Sequence, residues 1–233
     1  MPPKSFVILA GGKGTRLRPA VKDKPKALAD INGKPFIFFI LEQIKFLEIT
    51  DVYICTGYRS NQIKEYVNTI KNRYNFVIHI SEENSPLGTG GALLNVLKKY
   101  KIESTFVING DTYLSLNGIE VDKYSSETNY IYLKKMSNTE RYATVQFNDE
   151  NMVTSYKEKE LTNEAYISVG LYVFMSSTLS SFIENYNEEN MSIEYDILPK
   201  MISNENLKCI HYDNKFIDIG IPKDYALFQS LEI

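Results

Sequence analysis

The chain has 233 residues with a net charge of -3, enough length to bury the core of one large α/β domain or two small ones without disulfide staples. That balance excludes nucleic-acid binding driven by a basic surface, and it contains no acidic tail. Cys55 and Cys209 stand far apart and read as small buried hydrophobes, no apolar run is long enough for a bilayer, and a polar glycine loop follows only five apolar residues, so no signal peptide and a cytoplasmic protein are expected.

Phe6–Ala10 is a predicted buried strand that runs into Gly11-Gly12-Lys13-Gly14-Thr15-Arg16-Leu17. Glycines let backbone N–H groups converge on an anion, and Lys13 and Arg16 add positive charge. The loop is not a P-loop, because Gly14 rather than Ser or Thr follows Lys13. It is not a dinucleotide fingerprint either, because Leu17 occupies the place of the third glycine. Arg18–Lys26 holds two prolines and no apolar periodicity, so no crossover helix starts here. A plain glycine turn gives a similar pattern. Six cations between Lys13 and Lys26 weigh against it, since they repel one another unless an anion sits among them.

Further on, the spacing predicts a helix over Pro35–Ile49, a strand over Val52–Thr56, a helix over Ser60–Arg73 and a strand over Phe76–Ile80. After a glycine-rich loop come a helix over Ala92–Tyr100 and a strand over Thr105–Asn109. This alternation means βαβ units and a parallel sheet. The second half reads as a mixed sheet: strands over Tyr130–Lys134, Ala143–Phe147, Met152–Lys157, Tyr166–Phe174 and Leu207–Tyr212, and helices near Ser177–Asn185, Ile193–Ile202 and Pro222–Leu231. No linker separates the halves, about 1–115 and about 116–233, so residues 1–233 are expected to form one domain.

Ligands of open α/β sheets bind at the carboxyl ends of parallel strands. Three polar clusters fall there: Gly11–Arg16, Glu82–Gly91 and Asn109-Gly110-Asp111. They are expected to face one crevice. Asp111 suits Mg²⁺, which takes one or two carboxylates and completes its shell with phosphates and water, although Gly-Asp is also a common turn pair. Asp218, flanked by isoleucines, is a second candidate, since a charge among apolar residues is usually paired or binds metal. Pro86-Leu87-Gly88-Thr89-Gly90-Gly91-Ala92 offers backbone groups to a planar base. It also suits a helix N-terminus, though with more glycines than a cap requires. His79 and His211 lie in predicted strands without a catalytic partner and read as structural.

Leu-Ala-Gly-Gly-x-Gly-Thr-Arg-Leu, Lys-Pro-Lys, Pro-Leu-Gly-Thr-Gly-Gly, Asn-Gly-Asp and Asp-Ile-Gly-x-Pro, in that order over Phe6 to about Tyr225, resemble the sugar-1-phosphate nucleotidyltransferases. Pro-Leu-Gly-Thr-Gly-Gly-Ala and Phe-Ile-Asp-Ile-Gly-x-Pro-x-Asp-Tyr sit nearest the D-glycero-D-manno-heptose 1-phosphate guanylyltransferases. Ser85 stands where those enzymes carry an acid, and Ile221 where threonine or valine is common; neither lies in the catalytic set.

The resemblance implies a Rossmann-like three-layer α/β/α fold with a central mixed, mostly parallel sheet. It implies the reaction NTP plus sugar 1-phosphate giving NDP-sugar and pyrophosphate, with GTP favoured and Mg²⁺ as cofactor. Arg16 and Lys26 would be catalytic, on the leaving pyrophosphate and the α-phosphate. Leu9, Ala10, Gly11, Gly12, Gly14, Thr15 and Arg16 would bind the nucleotide, with Glu83, Pro86, Gly88, Thr89 and Asp111. Asp111 and Asp218 would hold Mg²⁺. On the acceptor side the resemblance points to Asn109, Gly110, Glu158, Lys159, Gly170 and Glu194. The Glu158-Lys159 pair also suits a solvated charge run, and Glu194 a first-turn carboxylate favoured by the helix dipole. A glycine within a strand, such as Gly170, often marks a close approach.

N-acetylmuramate 1-phosphate or hexose 1-phosphates, with UTP, CTP or dTTP, are the alternative substrates. A non-catalytic sugar-nucleotide-binding subunit is the alternative class; it would be expected to lose Arg16, Lys26 or an aspartate, and all are present. The product would feed a bacterial surface polysaccharide. No nucleic-acid or membrane partner is expected, and a homo-oligomer is left open.

Overall fold

The computed structural model describes residues 2–124, 127–137, 139–157 and 164–231. In chain order its elements are β1 (Ser5–Leu9), β2 (Asp30–Ile31), β3 (Lys34–Pro35), α1 (Phe36–Ile44), β4 (Asp51–Thr56), α2 (Ser60–Ile70), β5 (Val77–Glu82), α3 (Gly88–Tyr100), β6 (Ser104–Asn109) and β7 (Thr112–Leu114). There follow β8 (Asn129–Met136), β9 (Thr144–Phe147), β10 (Val153–Lys157), β11 (Ala165–Met175), α4 (Ser180–Asn185), α5 (Leu198–Ser203), β12 (Leu207–His211), β13 (Phe216–Asp218) and α6 (Pro222–Gln229). The α/β class with a mixed, mostly parallel sheet is as expected from the sequence. No helix of the described residues is long and apolar enough to cross a membrane.

The chain builds two compact units from interleaved stretches. The amino-terminal unit takes Lys4–Pro86, Ile108–Val121 and Asn214–Ile233; the central unit takes Met1–Pro3, Leu87–Val107 and Asp122–Asp213. The chain thus leaves the amino-terminal unit after Pro86 and returns to it twice.

In the amino-terminal unit β1, β4 and β5 are parallel neighbours, with Leu9 opposite Cys55 and Thr56 opposite Glu82. Phe6, Val7 and Ile8 are fully buried, which explains their unbroken apolar run. Helix α1 buries Phe36, Ile37, Phe38, Phe39, Ile40, Leu41 and Ile44. It ends at Ile44 rather than Ile49: Leu47 N–H closes a turn on Ile44 O, and Phe46 is left 79% exposed. Phe228 of α6 meets Phe36, Phe39 and Tyr113 edge-on or tilted, with ring centroids at 5.1–5.5 Å. That cluster fixes α6, and with it β13, against β7. The antiparallel β7–β13 ribbon pairs Asp218 with Thr112.

In the central unit β11 runs antiparallel to β8 and β9, β10 pairs with β9, and β12 runs parallel to β8. The β8–β11 register shifts between Ser168 and Tyr172, and Gly170 sits in that irregularity with φ of +73°. Helix α3 starts at Gly88, four residues before the expected Ala92, so the glycine-rich segment is largely a first helical turn. The helix expected near Ile193–Ile202 is a π-turn over Ile193–Ile197 continued by α5.

Candidate active site

β1 ends by donating Ala10 N–H to Cys55 O at 2.9 Å, and the chain then turns outward. Lys13, Thr15 and Arg16 are exposed, whereas Leu17 is 1% exposed and anchors the loop. Among the described residues Lys13 and Arg16 make no ion pair. The Glu83 carboxylate packs over Gly11, where a Cβ would lie 2.7 Å from Oε1. Beyond the loop a cationic arm lines a cavity of about 310 Å³ with Lys13, Arg18, Lys22, Lys24, Lys26 and Tyr58. The arm is gripped from the start of α2: Arg59 Nη2 donates to Asp23 Oδ1 at 2.8 Å, and Gln62 Nε2 to Asp23 O at 3.3 Å. Arg59 Nε also bonds Tyr58 Oη at 2.9 Å, over whose ring Arg18 stacks. The Tyr58 bond is the main cause that holds the Arg59 guanidinium above its ordinary pKa.

The second strand end carries the acids. Gly110 N–H donates to Leu9 O at 2.9 Å, and a Cβ at Gly110 would lie 2.7 Å from that same oxygen. Only glycine lets the turn after β6 lie flat on the turn after β1. Asp111 O then accepts from Ile219 N–H at 3.0 Å, so Asp111 lies just ahead of the β7–β13 ribbon, whose last pair is Thr112 with Asp218. Asp111 Oδ2 accepts from Lys26 Nζ, a pair whose side chains are 31% and 12% exposed. Asp218 Oδ1 accepts from Gly220 N–H at 2.6 Å. Asn109 Oδ1 is buried and has no hydrogen-bond partner among the described residues. The carboxylates of Asp111 and Asp218 are oxygen donors carried by two segments joined through that backbone pairing. Mg²⁺ takes such donors when a polyphosphate completes its shell, so the residues fit that ion. No group of three or more His, Cys, Asp or Glu is gathered among the described residues.

The central unit holds the other candidates. Met191 O accepts from Gly90 N–H at 2.9 Å and Gly91 N–H at 3.2 Å, and Met191 N–H donates to Leu87 O. Three glycines are needed here because the 186–193 strap lies directly on the first turn of α3. A Cβ at Gly91 would come within 2.6 Å of Tyr186 Oη and 2.7 Å of Glu189 O, and one at Gly88 would overlap Met191 O. Thr89 Oγ1 donates to Glu194 Oε2 at 3.0 Å and accepts from Ile193 N–H at 2.9 Å. Tyr172 Oη approaches Glu194 Oε1 at 3.5 Å, Ser168 Oγ lies 3.4 Å from Tyr172 Oη, and Gly170 N–H donates to Ser168 Oγ at 3.2 Å. Thus Thr89, Gly170 and Glu194, 105 positions apart at the extremes, share one polar chain. Glu158 and Lys159 lie outside the described residues.

Residues 5–231 match the model of the nucleotidyl transferase family. The chain belongs to that family. This nucleotidyl transferase is 35% identical over 223 residues to the D-glycero-alpha-D-manno-heptose 1-phosphate guanylyltransferase of Campylobacter jejuni, which covers 95% of this chain and 97% of the relative. It is also 35% identical to the enzyme of the same name from Aneurinibacillus thermoaerophilus, over 96% of each chain. Its structure is similar to that of HddC from Yersinia pseudotuberculosis, with a TM-score of 0.82, 33% identity and 98% of each chain covered. HddC complexed with GMP-PN gives a TM-score of 0.80.

The other titratable groups of this nucleotidyl transferase serve its packing. His79 bonds Asp51 at 2.8 Å and stacks on Tyr53, and His211 lies between Phe147 and Tyr166. Both cysteines are free and buried. Burial pushes the Cys209 thiol up to about 11 and, with the nearby Glu83 charge, pushes Cys55 higher still, so neither is a nucleophile near neutral pH. Sequence reasoning missed the Arg59 grip on Asp23, strand β7, and the roles of Ser192 and Tyr172. For Arg59 a signal existed: its αL backbone, φ of +55°, follows Gly57-Tyr58 just ahead of a helical stripe, but a turn there names no partner.

Proposed function

We propose that this protein transfers GMP from GTP to D-glycero-α-D-manno-heptose 1-phosphate, giving GDP-heptose and pyrophosphate. The observation that carries the reading is the gathering of the exposed Lys13 and Arg16, the half-buried Lys26, Asp111 and the β7–β13 ribbon with Asp218 within one compact unit. The heptose is supported by the two guanylyltransferase relatives over almost the full chain.

A phosphate oxygen of the sugar phosphate attacks the α-phosphorus of GTP, and the bond from that phosphorus to the bridging oxygen breaks. The acceptor is already anionic at neutral pH, so no general base is required. The barrier is the approach of two polyanions in line, which cations at the site and a positioned acceptor lower. In this reading Leu9, Ala10 and the N–H groups of Gly11, Gly12, Gly14 and Thr15 cradle the triphosphate. Arg16 holds the departing pyrophosphate, and Lys26 meets the charge growing on the α-phosphate. Asp111 and Asp218 would hold Mg²⁺, which when bound neutralises phosphate charge. Glu83 is a carboxylate acceptor beside the loop, and guanine alone among the usual bases pairs a ring N–H with an adjacent amino group as donors to it. Gly88 and Pro86 flank the base; Glu194, Gly170, Asn109 and Gly110 bind the sugar phosphate, with Glu158 and Lys159. GTP supply assigns the reaction to the cytoplasm and GDP-heptose suits assembly of a bacterial surface polysaccharide.

The test is a matrix of NTPs against sugar 1-phosphates scored by pyrophosphate release. GTP with the heptose 1-phosphate is expected to give the highest kcat/KM, and Glu83→Gln to narrow the margin of GTP over UTP. A higher kcat/KM with mannose 1-phosphate or with UTP would overturn the substrate assignment.

A further inference from the structure

We infer that Thr89 is a positioning residue for Glu194: its hydroxyl holds that carboxylate in the pose that receives the acceptor sugar, and it does not bind the nucleotide. The inference rests on the reading of Glu194 as an acceptor-side residue.

Both hydroxyl functions of Thr89 are already engaged within the central unit. Its oxygen accepts from Ile193 N–H at 2.9 Å, and its proton goes to Glu194 Oε2 at 3.0 Å. Ser192 repeats the arrangement: Oγ accepts from Glu194 N–H at 3.1 Å and Tyr195 N–H at 3.2 Å, and donates to the same Oε2 at 2.8 Å. Each hydroxyl therefore passes the polarity of backbone N–H groups at the start of the 193–197 turn onto one carboxylate oxygen. Bonds to an ionised acceptor are stronger than those between neutral groups, and two on one oxygen fix the side-chain rotamer.

The second oxygen is treated differently. Among the described residues Oε1 meets Tyr172 Oη alone, in a long hydrogen bond of 3.5 Å. Tyr172 is 1% exposed, and burial, then the Glu194 charge, pushes its pKa well up, so it stays a phenol and cannot repel the carboxylate by ionising. Glu194 itself is only partly buried. A locked carboxylate with one acceptor oxygen in reserve is suited to a sugar hydroxyl, which donates one O–H.

The hydroxyl geometry also depends on the strap. Gly90 and Gly91 hold Met191 against the first turn of α3, which brings Ile193 N–H over Thr89. Thr89 thereby ties the glycine turn to the acceptor carboxylate within one unit.

Thr89→Val, Thr89→Ser and Glu194→Ala are compared with wild type by pyrophosphate release, using GTP and D-glycero-α-D-manno-heptose 1-phosphate. Thr89→Val keeps the shape and loses the hydroxyl. It is expected to raise KM for the sugar phosphate about tenfold while KM for GTP stays put. Thr89→Ser recovers most of that loss. Should Thr89→Val fail to fold by thermal melt, Ser192→Ala removes the other donor and reads the same split. A rise in KM for GTP without one for the sugar phosphate overturns the inference and makes Thr89 a nucleotide ligand. If Glu194→Ala raises KM for the sugar phosphate and Thr89→Val does not, positioning fails while the acceptor reading stands. If Glu194→Ala moves neither KM, the acceptor reading fails and takes the inference with it.

Discussion

The cationic loop of the amino-terminal unit and the Glu194 cluster of the central unit solve opposite problems. Lys13 and Arg16 stand exposed, without ion pairs among the described residues, and their mutual repulsion is relieved only when an anion arrives. Glu194 is bonded in advance by Thr89 and Ser192. The first site keeps its charges free and lets the ligand organise them; the second organises its charge and leaves one oxygen for the ligand. In the proposed reaction the cations meet a departing pyrophosphate, whereas the carboxylate chooses among sugar hydroxyls and needs a fixed direction.

Substitutions in each region break that contrast in different ways. The largest effect is expected from Arg16→Ala. The side chain is exposed and makes no ion pair among the described residues, so the thermal melt is unchanged while kcat falls about 10²–10³-fold. A loss of melting temperature in step with activity would make Arg16 structural. Asp111→Ala is expected to abolish turnover that added Mg²⁺ cannot restore, whereas chelator-treated wild type regains activity with Mg²⁺. Turnover by that variant in metal-free buffer would sink the metal assignment.

Gly91→Ala acts on the preorganised region. The helix gains about 1 kcal/mol of propensity, but the new methyl meets Tyr186 Oη at 2.6 Å and Glu189 O at 2.7 Å. Overpacking costs about 1–3 kcal/mol and wins. Melting is expected to fall by about 2–6 °C, with KM for the sugar phosphate raised. An unchanged melt would mean that the strap yields freely. Arg59→Ala should do least. Its pair with Asp23, 34% and 84% exposed, contributes under about 1 kcal/mol to folding. Loosening the arm should raise KM for GTP about threefold, and an unaltered KM would deny the grip any part in nucleotide binding.

The sequence marked the end of β1 because an apolar run that stops in glycines and cations stands out, and the structure ends that strand at Leu9. Alternating apolar stripes likewise marked most strands and helices of both units. Strand β7 was not legible: three residues show no periodicity, and its partner Phe216–Asp218 lies about a hundred positions away. The start of α3 was placed late because glycine lowers helix propensity, and the compensating bonds to Met191 come from the far end of the same unit. Met191 itself carries no mark in the sequence, since it acts through its backbone. For α1 the stripe through Leu47 continued past the true end, where a turn buries Leu47 without a helix.

The contact of Lys26 with Asp111 gives each group a resident partner of opposite sign. The ammonium neutralises the carboxylate in a pocket that is only partly open to water. A bare divalent cation arriving there must evict a partner of its own sign, and a bare polyphosphate must win Lys26 from a resident anion. In the proposed reaction a metal and a polyphosphate arriving together would exchange partners with the pair: cation to carboxylate, ammonium to phosphate. A metal or a polyphosphate arriving alone would displace one member of that pair and leave the other without its partner.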